Sequence, residues 1–296
     1  MTIRFRILLP LLLALLPAAA LASTPINETR PLDADGKVEI SNVKGRIEVR
    51  TWDKPQVRIG GSLGRGVEKL EIGDGGRSLK IKVRYPRNSR NTEPTSLVID
   101  VPTRASLDID GVAARISVTG TAGRELEIDS VSGDVTVAGA PRQADIESVS
   151  GDLHLTLNSD DVEVQSVSGT ITLRGRLKGE VEAETVSGNI TVDSRGERVR
   201  RLSSNTVSGN ATLQVGLADG GQVKAESVSG NIKVVTPRAL SANVHGESFS
   251  GHLRAPGVSI DKPRYGPGSS FEHRYGSGSG EIHLETFSGS VELLLQ

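Results

Sequence analysis

Cysteine is absent from all 296 residues, which excludes disulfides, thiolate chemistry and lipid attachment through an N-terminal Cys. Aromatic residues make up 3% of the chain and Trp52 is its only tryptophan, so the stacking platforms that sugar pockets commonly need are scarce. Neither sign of charge is in excess. The 35 basic and 36 acidic residues leave a net charge of −1, whereas nucleic-acid binders carry a marked basic surplus; nucleic acid is therefore not an expected partner. Long apolar runs are also missing. The most apolar stretch, residues 7–16, is interrupted by Pro10 and followed by Pro17, and it falls short of the roughly 20 residues a membrane span requires. With Arg4 and Arg6 before it and Ala20-Leu21-Ala22 after it, it reads as a secretory signal over residues 1–22, cleaved before Ser23. The expected location is periplasmic, extracellular or on the cell surface, with no transmembrane span in the mature chain. Without disulfides, stability has to come from hydrogen-bonded ladders and packing.

What is present is repetition. SVSG occurs at residues 130–133, 148–151, 166–169 and 227–230, TVSG at 185–188 and 206–209, SFSG at 248–251 and TFSG at 286–289. Weaker copies centre on Val43 (VEISNVKGRIEV) and Val112 (LDIDGVAARISV). From Val112 to Phe249 the central residue recurs every 18 to 21 residues. A short fixed period means stacked coils, each burying its apolar edge on its neighbours.

With the central Val or Phe as position 0, positions +4 and +6 form a period-2 apolar row, for example Val135/Val137, Leu153/Leu155 and Ile171/Leu173. Positions −5 and −3 form a second row, among them Leu126/Ile128, Ala144/Ile146 and Val162/Val164. Both rows read as strands. Between −3 and 0 the apolar spacing changes from two to three, so both strands can face one core only if the chain bends there. The Ser or Thr at −1 marks that corner, with a hydroxyl able to bond local backbone. Gly at +2 is expected on the inward side of the second strand, where a side chain would meet the opposite wall or where a bulge requires positive φ. The motif lacks the strand-to-helix context of a phosphate-binding loop. The repeated Ser at +1 has no matched His or Lys and reads as a polar column, not a nucleophile.

Two strands per coil of about 18–21 residues predict an all-β fold, a parallel β-solenoid, with right-handed β-helix winding as the default for parallel connections. Residues 23–110 form an N-terminal β segment and cap continuous with the solenoid. They include an antiparallel hairpin from 70–73 and 79–83 around Asp74-Gly75-Gly76. Residues 111–296 form the solenoid repeats, interrupted by a Gly/Ser/Pro-rich segment at 256–280 that reads as a long loop.

Candidate chemistry lies on the outward columns. Positions −4 and −2 supply Glu127, Asp129, Asp145, Glu147, Glu163, Glu182 and Glu184 in four adjacent coils. Stacking sets such carboxylates about 4.8 Å apart, where like charges repel, so this face is a candidate for weak Ca²⁺ binding; no other cofactor is expected. Positions +1, +3 and +5 give a flat Ser/Asp/Asn/Thr face suited to side-chain ladders or to a repetitive polar ligand such as a polysaccharide. The histidines, His154, His245, His252, His273 and His283, have no recognised metal spacing, although His245 and His283 share column −4.

The succession SVSGD, SVSGN, TVSGN, the pair Trp52-Asp53 after a first strand, and Val101-Pro102 before the array resemble the bacterial putative-adhesin family of β-strand repeat proteins, a domain of unknown function. The resemblance covers essentially the whole mature chain. It implies a secreted or envelope-associated β-solenoid that binds an envelope protein or polysaccharide, and it brings no catalytic residues. Two other readings stay open: a structural or self-assembling envelope scaffold, and a polysaccharide-active β-helix enzyme. The enzyme reading would require a singled-out base beside clustered carboxylates or a catalytic carboxylate pair.

Overall fold

Strict alternation of apolar and polar residues over short segments produces strands, and the repeat places those strands in register. The computed structural model describes residues 24–88 and 91–296; the signal expected over 1–22 lies outside the described residues. Among the described residues there is no helix, and 21 strands join in one hydrogen-bonded sheet that coils into a β-solenoid. Each coil contributes one strand to a first wall, such as Glu125–Ser132, and one to a second, such as Val135–Gly139. Successive coils pair in parallel with matched repeat positions: Ile128 lies beside Ile146, Ile146 beside Val164, and Val164 beside Ala183. The inward rows −5/−3 and +4/+6 are buried throughout this region. They form a continuous core between the walls.

The corner lies later in the repeat than the sequence spacing indicates. The inward alternation −5, −3 continues to the Ser or Thr at −1, which is buried in every clear copy, and the Val or Phe at 0 points outward. The first-wall strand runs on to +1, and the turn to the second wall occupies +2 and +3. Hydroxyls at −1 reach glycine carbonyls where geometry permits: Ser248 Oγ donates to Gly289 O at 2.9 Å and Thr286 Oγ1 to Gly230 O at 3.1 Å. In Ser148, Ser166, Thr185, Thr206 and Ser227 the hydroxyl makes no hydrogen bond among the described residues, so at these positions the residue serves as a small side chain in the narrow end of the core.

The glycine at +2 also has a different neighbour from the one expected. A Cβ on Gly188 would lie 2.1 Å from the carbonyl oxygen of Gly169 in the preceding coil, and one on Gly169 would lie 2.1 Å from Gly151 O. The obstacle is the backbone of the preceding coil, not the opposite wall. Coils can stack at β spacing through a turn this tight only if the stacked positions lack side chains. Beside this column, position +3 forms the expected ladder. Asn210 and Asn231 donate backbone N–H groups to the Oδ1 atoms of Asn189 and Asn210 at 2.9 and 3.0 Å. Thr170 N donates to Asp152 Oδ1 at 2.9 Å.

At both ends chain order and spatial order part. The first coil, within Thr24–Trp52, lies between Ser106–Thr119 and a coil made of Gly76–Arg84 and Thr95–Pro102. The last coil, Gly280–Ser288 with Val291–Leu295, lies between coil 222–236 and coil 242–254. The outermost coils are then covered by antiparallel strands, on both walls at the N-terminal end and on the first wall at the C-terminal end, which shields edges a solenoid would otherwise present. Lys69–Ile72 pairs on Gly76–Arg84, as the hairpin pattern predicts, and Gln56–Leu63 pairs on residues 24–31 and on Thr95–Pro102. At the other end, the segment 256–280 expected as a loop contains strand Ser269–Tyr275, antiparallel to Ala242–Ser250. Its Phe271 is buried in the space left by Gly246, where a Cβ would come within 2.2 Å of the ring. That one apolar anchor is what the Gly/Ser/Pro composition concealed.

Candidate functional site

Because position 0 faces outward, the repeat builds a column of exposed apolar side chains along the solenoid: Val43, Val112, Val131, Val149, Val167, Val186, Val207, Val228, Phe287 and Phe249, each 38–58% exposed. The insertion of the last coil places Phe287 between Val228 and Phe249, and the two phenyl rings stack at 4.7 Å with 7° between their planes. Soluble proteins rarely expose a contiguous apolar stripe of this kind without a use for it.

Column −2 runs alongside it on the same face of the first wall. It contributes Asp110, Asp129, Glu147, Gln165, Glu184, Asn205, Glu226 and Glu285, and together the two columns line a groove of about 860 Å³. Eight stacked rungs from Val112 to Phe287 give it a length of about 34 Å at the spacing of neighbouring strands. One side of the groove is apolar and the other is largely anionic. Sequence reasoning missed it because an unvarying Val looks like core. The signal was available: strict period two from −5 through −3 and −1 puts position 0 outside.

The seven carboxylates singled out from the sequence sit together on the first wall. Glu127 pairs with Asp145 and Asp129 with Glu147, Asp145 with Glu163, and Glu163 with Glu182. Glu184 lies beside Gln165. Partial burial, reinforced by neighbouring carboxylates, raises the pKa of four of them above the ordinary range. For Glu127 the strongest neighbour is Asp108, for Asp129 it is Glu147, for Asp145 it is Glu163, and for Glu182 it is Glu184. The column is relieved at its ends: Lys37 Nζ lies 2.7 Å from Asp108, and Asn205 Nδ2 donates to Glu184 Oε1 at 2.6 Å. Among the described residues, three candidate metal-ligand atoms fall within 4.8 Å of one another only at Glu226, His283 and Glu285, further along the same wall.

Fold and surface together define a β-solenoid repeat protein whose exposed features run as stripes instead of converging on one reactive centre. Residues 33–221 match the Toastrack DUF4097 family, and the chain belongs to it, a domain of unknown function. No curated protein matches. Solved structures that share the fold include the following three. A putative lipid binding protein from Parabacteroides distasonis has a TM-score of 0.54 at 14% identity, over 92% of this chain and 97% of that one. A putative adhesin from Parabacteroides distasonis has a TM-score of 0.52 at 16% identity, over 92% and 98%. A putative adhesin from Parabacteroides merdae has a TM-score of 0.51 at 13% identity, over 92% and 96%.

Proposed function

We propose that the chain is an exported, envelope-associated, non-catalytic adhesin-like protein that holds its partner along the groove on the first wall. The observation that carries this reading is the continuous outward Val/Phe column beside carboxylates. Such a surface suits an envelope protein segment that presents apolar side chains and Lys or Arg together, with charge steering the encounter and apolar burial holding the complex. It suits a polysaccharide less, because its apolar residues are mostly valines and aromatic rings enter only at the Phe249/Phe287 end. Over residues 127–184 the acidic columns repeat with no base set apart among them, which argues against the enzyme reading. The self-assembling scaffold is disfavoured because two copies meeting groove to groove would oppose their carboxylate columns.

The test begins with fractionation of the producing cells, where the protein is expected with the envelope. A photo-crosslinking residue is then placed in the full chain at Val167, in the groove, or at Thr172, on the second wall. Adducts from position 167 that fade as salt is raised, with few from 172, are the expected result. Equal adducts from both positions, or a cytoplasmic location, sink the reading.

A weak, non-catalytic Ca²⁺ face at Glu127, Asp129, Asp145, Glu147, Glu163, Glu182 and Glu184 belongs to the same proposal. The folded-state pKa values of Glu127, Asp129, Asp145 and Glu182 lie above their unfolded ones, so the folded state binds more protons just above the ordinary carboxylate range. These groups therefore cost stability at neutral pH, and that cost is removed as pH falls through the raised values. Thermal midpoints are expected to rise on acidification from pH 7 into that window. They should also rise more with Ca²⁺ than with NaCl of equal ionic strength. Asp145→Asn with Glu163→Gln should flatten both responses; identical Ca²⁺ and NaCl shifts would mean a merely solvated face.

A further inference from the structure

The return of the last coil into the stack brings together side chains that lie far apart in the sequence. Lys224, His283 and His245 become consecutive rungs of column −4, and Glu226, Glu285 and Glu247 consecutive rungs of column −2. His283 and His245 stack with ring centroids 5.0 Å apart and planes 6° apart. His283 Nε2 lies 3.5 Å from Glu285 Oε2, and His245 Nε2 lies 3.8 Å from Glu247 Oε2. On its other side His245 Nδ1 lies 3.4 Å from Glu272 Oε1 of the capping strand. Ligand atoms of Glu226, His283 and Glu285 all fall within 4.8 Å of one another.

We propose that Glu226, His283 and Glu285 form a divalent transition-metal site, of the kind that takes Zn²⁺, joining the intercalated last coil to coil 222–236. One imidazole and two carboxylates are ligands suited to Zn²⁺, and a nitrogen donor sets the site apart from the all-oxygen sites Ca²⁺ takes. His245, oriented by Glu272, stands on the next rung as a further nitrogen donor, as supporting partners commonly orient ligating histidines. An opposing charge is Lys224, whose Nζ lies 2.8 Å from Glu226 Oε1; its side chain is 54% exposed and can turn to solvent when a cation enters. A metal here fastens the place where chain order departs from stacking order, so binding stabilises the junction of the last coil with coil 222–236. The inference does not depend on any ligand in the groove.

The experiment is Zn²⁺ titration of the purified full chain, stripped with chelator, followed by calorimetry and thermal unfolding. One equivalent of Zn²⁺ is expected to bind and raise the midpoint, and Co²⁺ in its place should give the visible absorption of a low-coordinate nitrogen/oxygen site. His283→Ala and the double variant Glu226→Gln/Glu285→Gln should each weaken binding at least tenfold. His245→Ala should weaken it less, and His252→Ala not at all. Should His283→Ala fail to fold, the carboxylate pair, on a solvent-accessible face, decides. Unchanged Zn²⁺ affinity in the carboxylate pair variant, or displacement of Zn²⁺ by equimolar Ca²⁺, overturns the proposal.

Discussion

Gly188→Val is expected to destabilise the protein by about 3 kcal/mol, the upper part of the usual range for forcing extra methyl groups into a packed site. At about 3 °C per kcal/mol for a chain of this size, the midpoint falls by about 9 °C. The reason is local. A Cβ at 188 would sit 2.1 Å from Gly169 O, 2.8 Å from Gly169 C and 3.3 Å from Gly169 N. These are backbone atoms with no rotamer to yield. Relief requires the two coils to separate at the corner, which strains the bonds that join them there, Gly169 N to Ser187 O and Ile171 N to Asn189 O, at 3.2 and 2.9 Å. Ser187→Ala, one residue away, alters an exposed side chain and should change stability by no more than about 0.5 kcal/mol. Because each coil touches only its neighbours, the damage should centre on the coils around residues 169, 188 and 209. Hydrogen exchange would locate it, and equal midpoints for the two variants would show that the stacked-corner explanation is wrong.

The same positions show what could be read from the sequence. The solenoid, its two walls and the rows −5/−3 and +4/+6 follow from alternation and period, because a period-2 pattern leaves each strand one way to face the core. The N-terminal hairpin was legible from Asp74-Gly75-Gly76 between alternating segments. The corner was not placed correctly, because hydrophobicity and periodicity conflict there: Val131 looks like core and Ser130 like surface, yet Ser130 is buried and Val131 exposed. Period two decides, since the backbone does not break its pleat until the glycine. The groove follows from that single shift of register. The acidic columns were legible residue by residue, whereas the Glu226/His283/Glu285 cluster was not. It depends on the last coil inserting one rung inside the end of the stack, and no spacing in the sequence encodes that. Column −4 did place His245 and His283 on equivalent positions; only the fold makes them neighbours.

Phe271→Ala is expected to release the C-terminal cap. In a chain so poor in aromatics, Phe271 is the largest side chain that the segment 256–280 buries, at 1% exposure. The seven backbone pairs of Ser269–Tyr275 with Ala242–Ser250 rest chiefly on that anchor, because the segment's other apolar residues against the core, Val258, Ile260 and Tyr275, are only partly buried. Truncation removes the ring and leaves the hollow over Gly246 unfilled, a loss of about 3–5 kcal/mol for a buried Phe. Most of that loss falls on the cap, which has few other apolar contacts and so opens below the global unfolding free energy. Trypsin should then cut at Arg264 and Arg274 at least tenfold faster, while the coils before residue 236 keep their protection. The uncovered edge of Ala242–Ser250 is an unpaired template for another chain, so the variant should also associate in a concentration-dependent way by light scattering. A Phe271→Leu variant, which refills most of the hollow, should recover most of the protease resistance. If Phe271→Ala is cut no faster than the parent chain, the cap is held by its backbone ladder alone and the anchor has no such role.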